Sequence, residues 1–362
     1  MTTNTQRLLV FAGSYAEAEG SGVYSYSFDE QSGQLTLLDQ VDGLKNPTFL
    51  NVDVKGGRLY SIAETVSAEG AKIGEAAAYE IHPDTGKLTF LNRANTVGAP
   101  TCHIQRDPSG RFLIVVSYHG GMVGLLSITE NGGVGELLDV QQHEGHGTHP
   151  ERQDRPHPHS SFFSPDGKFL FVQDLGLDLI VKYELDAENG KLLRRGETKL
   201  HPGAGPRHLA FHPNGKWAFV INEVDSTVTS FAYDAESGSL TEVQTVPTLP
   251  EGFEGENTCA EITVSKDGAY LYGSNRGHDS IVVYAIDGNS GKLSLVEHVS
   301  TEGGHPRHFA LTPNGKYLLC ANRDANNIVT FQVNQTTGKL TFSGASVTVS
   351  KPVCVQPLSF NV

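Results

Sequence analysis

Short apolar runs separated by glycine-containing turns recur along the chain. The clearest example is residues 205–231, GPRHLAFHPNGKWAFVINEVDSTVTSF. Polar and apolar positions alternate over residues 207–211, as in a half-buried strand, and residues 216–222 are nearly all apolar, as in a strand buried on both faces. Between them, HPNG has the proline, asparagine and glycine of a tight turn. The pattern predicts an antiparallel hairpin that leads into a third strand.

This unit repeats with a period of about 50 residues. After each hairpin come a third strand, a second turn with glycine, and a fourth strand, as in TVTSFAYD, ESGSL and the residues that follow. No long stretch has the i, i+3, i+4, i+7 spacing of an amphipathic helix, so the class is all-β. Four strands in about 50 residues is typical of one blade of a β-propeller. The glycines of the hairpin turns are Gly57, Gly110, Gly167, Gly215, Gly268 and Gly315.

The two ends of the chain complement each other. The first unit lacks its leading strand, whereas residues 351–360, KPVCVQPLSF, form a spare one at the C-terminus. Pro352 stands where the other units have their leading proline. We therefore predict that residues 1–362 form one domain, a seven-bladed β-propeller of four-stranded antiparallel blades whose C-terminal strand completes the N-terminal blade. A solenoid or a set of sandwich domains is the alternative, but a solenoid would need distinct polar caps.

Three longer segments interrupt the repeat, at residues 67–76, 143–155 and 248–257. The repeat resumes in phase after each of them. We interpret all three as surface loops within the domain and not as linkers between domains.

Composition restricts the class of partner. The net charge of −14 is unfavourable for nucleic acid, but a small anionic substrate remains possible if positive charge is concentrated locally. The four cysteines form no CxxC pair, which favours a reducing compartment and buried free thiols. The N-terminal run LLVFA is too short for a signal peptide, and no run reaches the ~20 apolar residues of a membrane helix. We expect a soluble, cytoplasmic protein without a membrane partner, either a monomer or a weak homo-oligomer.

The hairpin geometry brings charged residues together. Arg207 and Glu223 each lie eight residues from Gly215, so an antiparallel pairing puts them side by side at the open end. In a closed ring, equivalent positions of the other blades lie at the same rim. Four arginines there suggest an anion site, because guanidinium groups bind phosphate or carboxylate in a bidentate way. The rim set is His159, Arg207, Glu223, Glu261, Arg276, Arg307 and Arg323, with Asn222 and Asn275 in the preceding position.

A simpler interpretation treats the pairs Arg207–Glu223 and Glu261–Arg276 as structural ion pairs, which contribute about 0–1 kcal/mol when exposed. The excess of arginine over glutamate, with a histidine beside them, favours a functional site instead.

A histidine-rich segment, HEGHGTHPERQDRPHPH, precedes the fourth unit. Histidines at such spacing could bind zinc, but the glycine content argues against the helix that would align them. We expect no metal, and interpret the segment as a mobile loop from which His159 alone reaches the rim. Its histidines are His143, His146, His149, His157 and His159.

Several other classes lack support. The chain has no GxSxG elbow, no P-loop and no dinucleotide fingerprint, so we expect no cofactor. The WD dipeptide of WD40 scaffolds is also missing.

At these positions the chain resembles a known family, the seven-bladed propeller lactonases, which include a bacterial 6-phosphogluconolactonase and a fungal carboxy-muconate lactonizing enzyme. The resemblance spans essentially the whole chain. It implies a catalytic site formed by His159, Arg207, Glu223 and Arg276. Arg307 and His146 are added from the pattern alone, as weaker candidates. The motifs that carry the resemblance are PHPHS (156–160), GPRHLAFHPNGK (205–216), NExxSTV (222–228), AEITVSKDG (260–268), SNRGHDSIVVY (274–284), HPRHFALTPNGKYL (305–318) and PVCV (352–355).

The implied activity is hydrolysis of 6-phospho-D-glucono-1,5-lactone to 6-phosphogluconate. The alternatives are a lactonizing enzyme or lactonase acting on a carboxylate such as a muconate, and a non-catalytic propeller that binds a sugar phosphate or a protein. For hydrolysis, either Glu223 or His159 would be the general base. Arg207 and Arg276 would stabilise the oxyanion or hold the phosphate.

Overall fold

The computed structural model describes residues 6–362; the first five residues, which we included in the predicted domain, lie outside that range. The described residues form twenty-eight strands in seven four-stranded sheets, all paired antiparallel. In the same range, no helix has the length and hydropathy needed to cross a bilayer.

In chain order the strands are β1 (Gln6–Ser14), β2 (Val23–Phe28), β3 (Leu35–Val41), β4 (Leu50–Asp53), β5 (Arg58–Val66), β6 (Lys72–His82), β7 (Lys87–Asn95), β8 (His103–Arg106), β9 (Phe112–Ser117), β10 (Met122–Ile128), β11 (Val134–Gln142), β12 (Pro158–Phe163), β13 (Leu170–Asp174), β14 (Leu179–Asp186), β15 (Lys191–Lys199), β16 (Pro206–Phe211), β17 (Trp217–Asn222), β18 (Thr227–Asp234), β19 (Ser239–Pro247), β20 (Thr258–Val264), β21 (Tyr270–Arg276), β22 (Ser280–Ile286), β23 (Leu293–Ser300), β24 (Pro306–Leu311), β25 (Tyr317–Asn322), β26 (Asn327–Val333), β27 (Leu340–Thr348) and β28 (Pro352–Asn361).

The seven sheets are the blades of a closed ring. Blade 1 has the order β28-β1-β2-β3, blade 2 consists of β4–β7, and each later blade takes the next four strands, so that blade 7 is β24–β27. The innermost strands β28, β4, β8, β12, β16, β20 and β24 each touch the next around a central axis. Apolar clusters fill all seven gaps between neighbouring blades, so the core lies between the sheets. The predicted seven-bladed propeller is confirmed.

The ring closes through the C-terminal strand, as predicted. The pairing of β28 with β1 runs from Gln6 opposite Asn361 to Ser14 opposite Pro352. Blade 1 thus obtains its innermost strand from the far end of the chain, which gives it the same four strands as the other blades.

The innermost strands carry a recurring bulge just after the leading proline. In blade 5, Pro206 pairs with Asn222 and His208 with Ile221, which leaves Arg207 as an extra residue. His159 and Arg307 are the extra residues at the same place in blades 4 and 7. A bulge bends the strand and re-aims the side chain it carries. The hairpin turn follows the sequence prediction, with Gly215 at φ +69° in the left-handed region.

Two of the three predicted loops are confirmed. Residues 143–155 and 248–257 lie between strands. The third, predicted for residues 67–76, is too long: only residues 67–71 lie between strands, because β6 already begins at Lys72, opposite Val66. Small and polar residues suggested a loop there, but β5 extends far enough to pair with them.

Candidate active site

Four of the predicted residues meet at one end of the central channel. Oε2 of Glu223 lies 3.0 Å from Nε of Arg207 and 3.0 Å from Nη2 of Arg276. The same oxygen is 4.0 Å from Nε2 of His159. All four residues are buried. Blades 4, 5 and 6 therefore bring an imidazole, a carboxylate and two guanidinium groups into contact.

Backbone contacts fix this group in place. Glu223 directly follows β17, and its N–H donates to the carbonyl of Gly205 at 2.7 Å. Gly205 takes φ +68°, and a Cβ there would overlap the side chain of Val224. Arg207 donates through Nη1 to the carbonyl of Ala260 at 2.7 Å, and Arg276 through Nη2 to that of Cys259 at 2.7 Å.

A third arginine, which the sequence analysis missed, also binds Glu223. Arg152 extends from the histidine-rich loop, and its Nη2 donates to Oε1 of Glu223. The neighbouring Gln153, fully buried, holds the loop in place. Its Oε1 accepts from the N–H groups of Thr148 and His149, both at 3.0 Å, and its Nε2 donates to Asp178 Oδ1 at 2.6 Å. The expectation that His159 alone reaches the rim from this region is therefore wrong.

The charges of this group follow from its contacts. Burial alone would raise the pKa of Glu223, but Arg276, Arg207 and Arg152 outweigh it and lower that pKa to about 2. Burial, together with Arg276, lowers the pKa of Arg207 to about 9, so it remains charged at neutral pH. Burial and the nearby arginines hold the pKa of His159 well below 6.5. His159 is thus a neutral imidazole at pH 7, and its Nδ1 has no partner within residues 6–362.

A cavity of about 280 Å³ opens onto His159, Glu223, Arg152 and Arg276, with Arg207 behind them. Tyr118 forms part of its wall, stacked on His157 at 4.2 Å between ring centroids. Two wider depressions, of about 560 and 670 Å³, adjoin it and share Arg152, Arg276 and Tyr15 with it. The lining residues are Tyr15, Thr48, Glu64, Pro100, Thr101, Cys102, Tyr118, His119, Arg152, His159, Glu223, Arg276 and Arg307.

The other predicted substrate-binding residues lie in several places. Arg307 lines the cavity. Arg323 lines the adjoining 670 Å³ depression and pairs with Asp324 at 2.6 Å. Asn222 and Asn275 are buried and bond to side chains of their own blade, at 2.9 Å to Thr227 and 3.2 Å to Ser280. His146 lies exposed in the loop, and its Nδ1 is 3.0 Å from the carbonyl oxygen of Gly147.

Glu261 lies one layer deeper than predicted. Cys259 pairs with Asn275, as Pro206 pairs with Asn222, so Ala260 occupies the place of Arg207. The sequence alignment that gave this place to Glu261 was wrong by one residue. Glu261 instead corresponds to His208, and one of its oxygens lies 3.1 Å from both His208 Nδ1 and His308 Nε2.

This deeper layer fills the channel beneath the cavity. The rings of Phe49, His103, His208 and His308 pack around the axis, with the Phe49 and His103 centroids 4.3 Å apart. Burial raises the pKa of Glu261, and the neighbouring His308 only partly offsets that effect. Burial in turn lowers the pKa of His308 to about 4.

The remaining histidines of the loop have structural partners. Nδ1 of His143 lies 2.6 Å from Asp174, and Nδ1 of His157 lies 2.9 Å from the carbonyl oxygen of Tyr118. His149 accepts from the N–H of Arg152 at 3.2 Å. Over residues 6–362, no three His, Cys, Asp or Glu side chains form a group that could hold a metal ion.

Comparison with known proteins gives consistent results. A family model described as "Lactonase, 7-bladed beta-propeller" matches residues 9–357. The chain is 36% identical over 346 residues to a 6-phosphogluconolactonase of Bacillus subtilis, which covers 96% of this chain and 97% of that protein. It is 37% identical over 312 residues to one of Formosa agariphila, covering 84% and 86%. The solved structure of a periplasmic gluconolactonase of Pseudomonas aeruginosa superposes with a TM-score of 0.91 at 30% identity, covering 98% and 99%.

Proposed function

The chain belongs to the seven-bladed β-propeller lactonase family, and we propose that it hydrolyses 6-phospho-D-glucono-1,5-lactone to 6-phosphogluconate. Two relatives that match most of the chain carry the name of this activity. The observation that supports the proposal most directly is the contact of His159, Arg207 and Arg276 with Glu223 at the base of one cavity.

The charge of the cavity suits an anionic lactone. Four guanidinium groups, of Arg152, Arg207, Arg276 and Arg307, lie at or beside it, against the carboxylates of Glu64 and Glu223. The formal excess is two positive charges. A phosphate monoester carries about −1.5 to −2 at pH 7. The protein as a whole has a net charge of −14, so the local positive charge of the cavity would direct an anionic substrate to it.

His159 is the group we assign as general base. Both oxygens of Glu223 are occupied by arginines, whereas Nδ1 of His159 is unpartnered within residues 6–362. A pKa of about 2 also makes Glu223 a weak proton acceptor. Burial is the main cause of the low pKa of His159 and the arginines add to it; a bound phosphate would offset part of the arginine contribution and so raise that pKa.

The reaction then balances within this group. His159 takes a proton from water as the water oxygen bonds to the lactone carbonyl carbon. The guanidinium groups stabilise the negative charge that develops on the carbonyl oxygen. The imidazolium, stabilised by Glu223 at 4.0 Å, returns its proton to the ring oxygen as the carbon–oxygen bond of the ring breaks. In this scheme Glu223 positions the arginines and stabilises the imidazolium, and it does not itself carry the proton.

Unphosphorylated glucono-1,5-lactone is a second candidate substrate. The observation in its favour is the 30% identity to the gluconolactonase of Pseudomonas aeruginosa. The two lactones share the ring carbonyl and differ at C6, so a direct comparison of the two substrates decides between them.

The test is a lactonase assay on both substrates, with the fast spontaneous hydrolysis subtracted. We expect the wild-type protein to accelerate ring opening of the phosphorylated lactone, and His159→Asn to lower kcat by about 10² to 10⁴-fold. The control is His82→Asn, which removes a partly buried histidine of β6 that is bonded to Thr89 and lies outside the lining of the cavity. A wild-type rate equal to the spontaneous rate for both lactones would refute the proposal.

We also propose that the protein acts in the cytoplasm. The support is its four free thiols, three of them fully buried, which suit a reducing compartment. Fractionation of the source cells, with the activity followed in each fraction, would test the location.

A further inference from the structure

The four arginines of the site differ in what they bind. Arg152, Arg207 and Arg276 all donate to Glu223. Arg207 and Arg276 also donate to backbone carbonyls, and both are almost completely buried. Each of these three guanidinium groups therefore has at least one donor committed to Glu223.

Arg307 is the exception. It forms no hydrogen bond or ion pair with any residue between 6 and 362, yet it lines the same cavity. Its Cζ lies 5.7 Å from the centroid of the Tyr15 ring, which supports the guanidinium from one side. The bulge after Pro306 points this side chain away from the regular ladder. Its five N–H donors are therefore available to a ligand.

The position of Arg307 in the ring matches the shape of the proposed substrate. His159 belongs to blade 4 and Arg307 to blade 7, three blades apart, which is the largest separation in a ring of seven. In the substrate, the phosphate on C6 is separated from the lactone carbonyl carbon by the ring oxygen and C5, so the two groups contact different parts of the cavity. With the carbonyl at His159 and Glu223, the phosphate would extend across the axis towards Arg307.

The cavity wall has a second polar group without a partner, just before β8 in blade 3, the blade next to that of His159. Thr101 is 7% exposed and lines the cavity, and its Oγ1 has no hydrogen-bond partner among the described residues. Buried hydroxyl groups are normally hydrogen-bonded, so an orphan at this place points to a bound ligand or water.

We propose that Arg307, from the wall opposite His159, binds the phosphate of the substrate and so sets specificity for the phosphorylated lactone. The proposal rests on the proposed function and divides the site in two. Arg152, Arg207 and Arg276 serve Glu223 and the lactone carbonyl, and Arg307 serves the terminal anion.

The experiment compares Arg307→Gln with the wild type on both lactones. We expect kcat/KM for the phosphorylated lactone to fall by about 10- to 100-fold, the worth of one charged hydrogen-bonding partner, mainly through KM. The value for glucono-1,5-lactone should change by less than about 3-fold. Arg307→Lys keeps the charge without the planar fork and should recover only part of the loss.

The matched control is Lys351→Gln. Lys351 lines the adjoining 670 Å³ depression, is exposed, and forms no ion pair within residues 6–362. This variant removes one positive charge from the same end of the channel, and we expect less than about a 3-fold change with either lactone. If Lys351→Gln weakens the phosphorylated substrate as much as Arg307→Gln does, the phosphate is bound in that depression and the proposal is overturned.

Calorimetric binding of the products separates this proposal from the proposed function. We expect 6-phosphogluconate to bind more tightly than gluconate, and Arg307→Gln to abolish the difference. A wild-type protein that opens no lactone but shows this pattern would refute the lactonase function alone. Intact hydrolysis, with Arg307→Gln affecting both lactones and both products equally, would refute the role of Arg307 alone. Equal melting temperatures of the variants and the wild type exclude misfolding as the cause.

Discussion

Two buried glutamates lie in successive layers of the same channel and have opposite electrostatics. Glu223 and Glu261 are both 6% exposed. Glu223 contacts three arginines and has its pKa lowered to about 2. Glu261 contacts His208 and His308, and burial raises its pKa.

The pKa values of the two glutamates differ because their cationic neighbours differ, and not because one is more buried than the other. Removing a carboxylate from water always favours its neutral form. Guanidinium groups keep their charge when buried and can reverse that effect, whereas a buried imidazole loses its own charge first. The upper layer is therefore strongly charged, as an anion site requires. The lower layer approaches neutrality, as a packed channel core requires.

The largest expected effect comes from removing the charge of the upper layer. Glu223→Gln removes the carboxylate that positions three arginines and that stabilises the imidazolium of His159. We expect kcat for the phosphorylated lactone to fall by about 10²-fold or more, measured by steady-state kinetics. Glu223→Asp keeps the charge on a shorter side chain and should retain more activity. A near-normal rate for Glu223→Gln would mean that the upper layer works without its carboxylate.

The next effect is on acid stability. The folded-state pKa of Glu223 lies below its ordinary value of 4.5, so its ionised form stabilises the fold above pH 4.5. That contribution, on the order of 3 kcal/mol, is lost as the pH falls from about 4.5 to about 2. The gap in unfolding free energy between the wild type and Glu223→Gln should shrink over this range, as measured by denaturant unfolding. A gap that stays constant would show that the arginines do not depress this pKa.

The smallest effect is expected for the matching change in the lower layer. In Glu261→Gln, an amide oxygen can still accept from the N–H of Ile262, now at 2.9 Å, and the NH₂ can donate towards His208. We expect the free energy of unfolding to change by about 1 kcal/mol or less and kcat/KM to stay within about 3-fold. A loss as large as that of Glu223→Gln would mean that Glu261 is charged and takes part in the reaction.

Much of the fold could be predicted because the repeat reports it directly. The recurring turn, as at Gly215, predicted the number of blades. The additional strand that begins at Pro352 predicted how the ring closes. The position of Arg207 beside Glu223 followed from equal distances along one hairpin. These features depend on local pairing and on symmetry, which a single sequence contains.

The parts that could not be predicted depend on departures from the repeat. Arg152 belongs to a segment that no other blade has, and its direction is set by the hydrogen bonds of Gln153. Glu261 lies in the lower layer because Ala260 occupies the bulge position. A shift of one residue in the bulge moves every following side chain by one position. The partners of Arg207 and Arg276 among backbone carbonyls have no sequence signal at all.

The pairing of β28 with β1 has a consequence for biosynthesis. The first strand to leave the ribosome must wait for the last ten-residue strand before its blade is complete. A chain truncated just before Pro352 would still contain every arginine, histidine and carboxylate that lines the cavity. That chain would lack the innermost strand of blade 1. The edge of β1 would then be unpaired and could pair with strands of other nascent chains. Closure of the ring therefore follows the synthesis of β28, after the strands of all the other blades.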